Sequence, residues 1–149
     1  MRDRSPIQVA ALVVGAAFVL VGILGFIPGI TTNVGDMKFA GHESPSELLG
    51  LFQVSILHNI VHLAIGIVGL VAAATWEGSR LYLVGGGALY LALAIYGWII
   101  DRASDANFVP MNPANNVLHV LLGATMILLG VVLGRGYARD TAVAGDPRV

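Results

Sequence analysis

The chain has 149 residues, 56% hydrophobic and 11% charged, with 8 Lys and Arg against 9 Asp and Glu for a net charge of -1. So little charge cannot solvate the surface of a soluble domain, and the near-neutral balance argues against nucleic acid as a partner. With no cysteine, disulfides, thiolate metal sites and thiol redox chemistry are excluded.

The charges fall outside four long apolar runs, at about 7–27, 48–74, 81–100 and 115–134. Crossing a hydrocarbon core of roughly 30 Å takes about 20 helical residues. In lipid each helix also satisfies its own backbone polar groups. These runs predict an all-α fold, a four-transmembrane-helix bundle within a single membrane domain at 1–136, followed by a disordered cytoplasmic tail at 137–149.

The first run follows Arg2 and Arg4 but is too long for a signal peptide and lacks a small-x-small cleavage site, so it reads as a retained helix. The loop after it contains Ser44-Pro45-Ser46-Glu47, the pattern of a capping box with proline at the first helical position. That predicts a second helix starting outside the membrane. Between the second and third runs, Trp76-Glu77-Gly78-Ser79-Arg80 is too short for a domain and closes a tight antiparallel hairpin. Asn112 and Pro113 suit the cap and first turn of the fourth helix.

Gly15, Gly22, Gly25, Gly85, Gly86 and Gly87 make helices one and three rich in small residues that let helices pack closely. Gly130-x-x-x-Gly134 in helix four is a small-residue spacing that fits a homodimer contact or packing within one chain. Six Arg (Arg2, Arg4, Arg80, Arg135, Arg139, Arg148) fall on one side of the spans, and Lys38 and Arg102 on the other. The imbalance predicts a multi-pass protein of the cell membrane with both termini cytoplasmic.

An internal repeat carries the polar groups. Asn59-x-x-His62-x-x-x-Gly66 in the second run matches Asn116-x-x-His119-x-x-x-Gly123 in the fourth, at an offset of 57 residues. One complete helix lies between them, so both copies run the same way, and the pattern predicts two parallel two-helix repeats. Asn at i and His at i+3 share a helix face, and His58 lies one turn before His62. Imidazoles and amides inside a membrane face a bundle interior, a cavity or one another.

The segments Leu57-His58-Asn59-Ile60-Val61-His62 and Asn115-Asn116-Val117-Leu118-His119 resemble those of small actinobacterial four-helix membrane proteins, the DUF4383 family, over nearly the whole chain. The resemblance implies topology and no chemistry, because the family has no established activity.

Several functional readings are open on the residues alone. In the first, Asn59, His62, Asn116 and His119 are interhelical hydrogen-bond partners and the protein is a scaffold or partner subunit for other membrane proteins. A second makes His62 and His119 axial ligands of a haem b between helices two and four, with Gly66 and Gly123 giving the macrocycle room, for electron transfer. The third gathers His58, His62 and His119 around a metal ion. Transport of a small or lipidic ligand through the polar patch is the last. No pairing of nucleophile with base and no phosphate loop is visible, so no catalytic residue is assigned.

Overall fold

The computed structural model describes residues 4–144, with side chains described through Arg135. It is all-helical apart from a two-stranded ribbon. Helix α1 is Pro6–Leu24, α2 Ile56–Ala72, α3 Trp76–Ile99 and α4 Pro113–Ala144. Strands β1 (Glu47–Leu48) and β2 (Phe52–Gln53) pair antiparallel between α1 and α2. Three of the helices, α1, α3 and α4 as far as Arg135, are long and apolar enough to cross a membrane, whereas α2 has 17 residues. The helix α4 continues through Ala144, past the domain end expected at 136, and 145–149 of the expected tail lie outside the described residues.

Local chemistry sets the helix ends. Ser5 precedes Pro6 at the first turn of α1, and the Ser5 amide donates to Gln8 Oε1 at 3.0 Å. Gln8 then spends its Nε2 on the carbonyls of Ala73 and Ala74, at 3.2 and 3.0 Å. One side chain thereby satisfies the orphan carbonyls at the end of α2 and ties it to the start of α1. Thr75 caps α3 by accepting from the Gly78 amide at 3.0 Å, and Asn112 caps α4 by accepting from the Asn115 amide at 2.9 Å. Trp76 to Arg80 form the first turn of α3 rather than the connection before it.

The capping box expected at Ser44 to Glu47 does not form. Helix α2 starts eight residues beyond the expected 48, and Ser55 is the residue that caps it, accepting from the His58 amide at 3.1 Å. Ser44 Oγ donates instead to the Val54 carbonyl at 2.7 Å, Ser46 Oγ donates to the Asn33 carbonyl at 2.9 Å, and Glu47 lies in β1. Leu49 and Gly50 take φ of 56° and 65°. Left-handed backbone at two successive positions reverses the chain where a helix would have continued, and the ribbon results.

The α1–α2 and α3–α4 loops knit into a cap over one end of the helices. The Gly41 amide donates to the Phe108 carbonyl at 2.8 Å, Asn112 Nδ2 to the Leu51 carbonyl at 2.8 Å, and Asn115 Nδ2 to the carbonyls of Gln53 and Pro110, both at 2.8 Å. Amides at the start of α2 are also used, with Leu57 donating to Phe39 at 2.8 Å.

Below the cap the helices associate as two intimate pairs, α1 with α2 and α3 with α4. A β-carbon on Gly66 would lie 2.8 Å from the Gly15 carbonyl oxygen, and one on Gly123 would lie 2.8 Å from that of Gly87. At each of these crossings the backbones themselves touch, which only glycine permits. The core between the pairs includes Ile7, Ala11, Phe18, Ala73, Tyr82, Leu83, Tyr90 and Met126.

Candidate functional site

Five rings form a continuous row through the interior. His58 and His62, one turn apart on α2, stack with centroids 4.4 Å apart and planes at 10°. Phe18 of α1 lies 5.6 Å from His62 and 5.2 Å from Tyr90 of α3, and Tyr90 meets the edge of His119 of α4 at 5.2 Å and 70°. The row therefore visits all four helices. All five residues are buried, the most exposed at 7%.

Of the residues selected from the sequence, His58 and His62 are brought together, while His119 reaches them only through Phe18 and Tyr90. Among the described residues, no three His, Asp or Glu side chains converge on a point that a metal ion could occupy. The two asparagines occupy equivalent places. Asn59 of α2 fills the space over Gly25, which caps the end of α1, and Asn116 of α4 fills the space over Gly97 of α3. Gly66 and Gly123 are likewise equivalent, each pressed against a glycine of the partner helix.

The hydrogen bonding is sparse. His62 Nδ1 lies 3.0 Å from the His58 carbonyl oxygen. A carbonyl has no proton to give, so Nδ1 carries the hydrogen and Nε2 keeps its lone pair. Asn59 Nδ2 lies 3.7 Å from the sulfur of Met37 in the cap. Asn116 is fully buried and neither its oxygen nor its nitrogen has a partner, and His58 Nδ1 and His119 Nδ1 are also unpaired. A buried polar group left without a hydrogen bond costs about 1–3 kcal/mol. Among the described residues no hydrogen bond joins any two of Asn59, His62, Asn116 and His119.

Beside this row is a half-open cavity of about 160 Å³. Val14, Ala17, Phe18 and Val21 of α1 form one wall, Leu118 and Leu122 of α4 the other, and His62 is its polar member. It has room for a ring or a short chain and offers that guest one imidazole.

Sequence reasoning did not select Phe18, Tyr90 or Gly97 for the site, and it read Gly25 only as a close-packing glycine. Their signal is a second spaced pattern, Gly15-x2-Phe18-x6-Gly25 against Gly87-x2-Tyr90-x6-Gly97, at a uniform offset of 72 residues. The histidine pattern recurs at an offset of 57 residues, and the connection from α3 to α4 is shorter than the one from α1 to α2.

Fold and site together define an all-helical protein with helices of membrane-crossing length and a buried row of imidazole and aromatic rings beside an apolar cavity. The chain belongs to the family described as Domain of unknown function (DUF4383), which matches residues 8–132. No curated protein and no solved structure matches it.

Proposed function

We propose that this is a non-catalytic protein of the cell membrane that holds a small apolar molecule drawn from the bilayer in the cavity beside His62. The observation that carries the reading is that cavity of about 160 Å³, walled by α1 and α4 and polar only at His62. An engineered apolar cavity of about 150 Å³ takes up benzene, so the volume is that of one small ring. A scaffold held together by its asparagines and histidines has less support, because no bond joins them across helices.

In this reading α2 is the fourth span. Its 17 residues stand at the short end of the range that crosses a bilayer. Gly15 lies against Gly66, Gly22 against the Asn59 carbonyl, and Gly25 against the Asn59 side chain, so α2 follows α1 along most of its length. Two parallel helical-hairpin repeats are supported by the matched pairs Gly15–Gly66 with Gly87–Gly123 and Gly25–Asn59 with Gly97–Asn116. The six arginines on the side of the α2–α3 turn favour cytoplasmic termini.

Photolabelling in lipid nanodiscs with a diazirine-bearing hydrocarbon tests the proposal. Labels are expected on 14–21 and 118–122, competed by hexylbenzene and lost in Ala17→Trp, which fills the cavity. Uniform labelling of all lipid-facing surfaces without saturable competition sinks it.

A further inference from the structure

We infer that the molecule held beside His62 is a membrane-soluble phenol or alcohol whose hydroxyl donates a hydrogen bond to His62 Nε2. The inference rests on the small-ligand reading above and specifies its chemistry.

The helix fixes the hydrogen-bonding sense of the site. Because His62 Nδ1 donates to the His58 carbonyl at 3.0 Å, the neutral ring presents only an acceptor at its other nitrogen. No described group donates to that nitrogen. His58 stacks flat on one face of the ring at 4.4 Å, so it approaches through its face and not through an N–H. The Asn59 amide is turned to Met37 and the space over Gly25. A ligand carrying only carbonyl or ether oxygens would set acceptor against acceptor. A hydroxyl supplies the missing donor, and in an apolar surrounding that match decides among ligands of equal size.

Shape narrows the ligand further. About 160 Å³ accommodates a six-membered ring, Phe18 supplies an aromatic wall, and Leu118 and Leu122 continue the apolar surface along α4. The cavity is half-open, so an alkyl chain attached to the ring can leave along that surface and lie among lipid tails. A second groove, between α2 and α3, is lined by Ala64, Ile65, Val68, Leu81 and other apolar groups together with Tyr82, and contains no imidazole. It offers no equivalent acceptor nitrogen, so the specificity belongs to the α1–α4 cavity.

The test uses the full chain in nanodiscs with two matched probes, para-hexylphenol and its methyl ether, para-hexylanisole. Nitrogen NMR of ring-labelled histidine reports the His62 Nε2 resonance directly. The phenol is expected to move that resonance saturably toward a hydrogen-bonded value and to bind about tenfold more tightly than the ether, a ratio that His62→Phe abolishes. If both probes bind saturably with equal affinity and the Nε2 resonance stays in place, the cavity reading survives and the hydroxyl inference is overturned. If neither saturates, both fall. The resonance is read in the unsubstituted protein, so a folding defect in His62→Phe does not decide the matter.

Discussion

Phe18 of α1 and Tyr90 of α3 stack with ring centroids 5.2 Å apart and planes inclined by 29°. They occupy equivalent positions in their helices, three residues after Gly15 and Gly87, the glycines that press α1 on α2 and α3 on α4. The contact joins the two helix pairs and connects the imidazoles of α2 to the imidazole of α4. Offset aromatic stacking contributes roughly 0.5–1.5 kcal/mol beyond the area it buries.

Removing either ring opens a void at the meeting point of the pairs. Phe18→Ala and Tyr90→Ala should each cost about 3–5 kcal/mol, and the double variant should cost less than the sum of the two because the lost contact is shared. Thermal unfolding in detergent measures both. Additive losses would show that the rings contribute independently.

The glycines of α3 should respond with opposite sign. A β-carbon on Gly87 would stand 2.7 Å from the Gly123 carbonyl oxygen, where backbone must move, so Gly87→Ala should lower stability by about 1–3 kcal/mol. On Gly85 the nearest atom is 3.8 Å away, an ordinary contact with Leu81. There Gly85→Ala should gain up to about 1 kcal/mol from helix propensity. Equal effects at the two positions would contradict the close crossing of α3 and α4.

How much of this was legible in the sequence differs by feature. The long apolar runs mark α1, α3 and α4 because lipid tolerates few charges along a crossing helix. Asn59, His62, Asn116 and His119 stand out for the same reason, as polar side chains in apolar stretches. The start of α2 was not legible. Ser44-x-x-Glu47 and Ser55-x-x-His58 compete as caps, and left-handed backbone at Leu49 and Gly50 decides against the first. Nor could the sequence say which helices pair. Parallel helices left open a haem or metal shared by His62 and His119, whereas glycine contacts bind each helix to its neighbour in the chain and leave Phe18 and Tyr90 to connect the histidines.

Strain at the ribbon gives a prediction that concerns the cap alone. Leu49 holds φ of 56° while 70% exposed, so it carries a left-handed backbone cost without compensating burial. Leu49→Gly should raise the unfolding temperature, by an amount equivalent to about 1 kcal/mol. A loss of stability would mean that the Leu49 side chain has a partner in the membrane surface that outweighs the strain.

Asn115 and Asn116 are adjacent, chemically identical and equally buried, at 2% and 0% exposure, yet their bonding differs completely. Asn115 donates through Nδ2 to the carbonyls of Gln53 and Pro110 at 2.8 Å each, holding β2 and the α3–α4 loop against α4. The Asn116 side chain makes no hydrogen bond and rests on Gly97. Truncating Asn115 leaves the buried Pro110 carbonyl and the half-buried Gln53 carbonyl without that donor, so Asn115→Ala should cost about 1–3 kcal/mol and loosen the cap, read as faster amide exchange at Val54 and Met111. Asn116→Ala removes an amide that is already unsatisfied. The relief offsets the small void it leaves, and the net change should stay within about 1 kcal/mol. Equal losses at the two positions would require a bonding partner for Asn116 such as a buried water or a ligand, and retention of that loss in Asn116→Leu, which keeps the volume, would assign it to the amide rather than to packing.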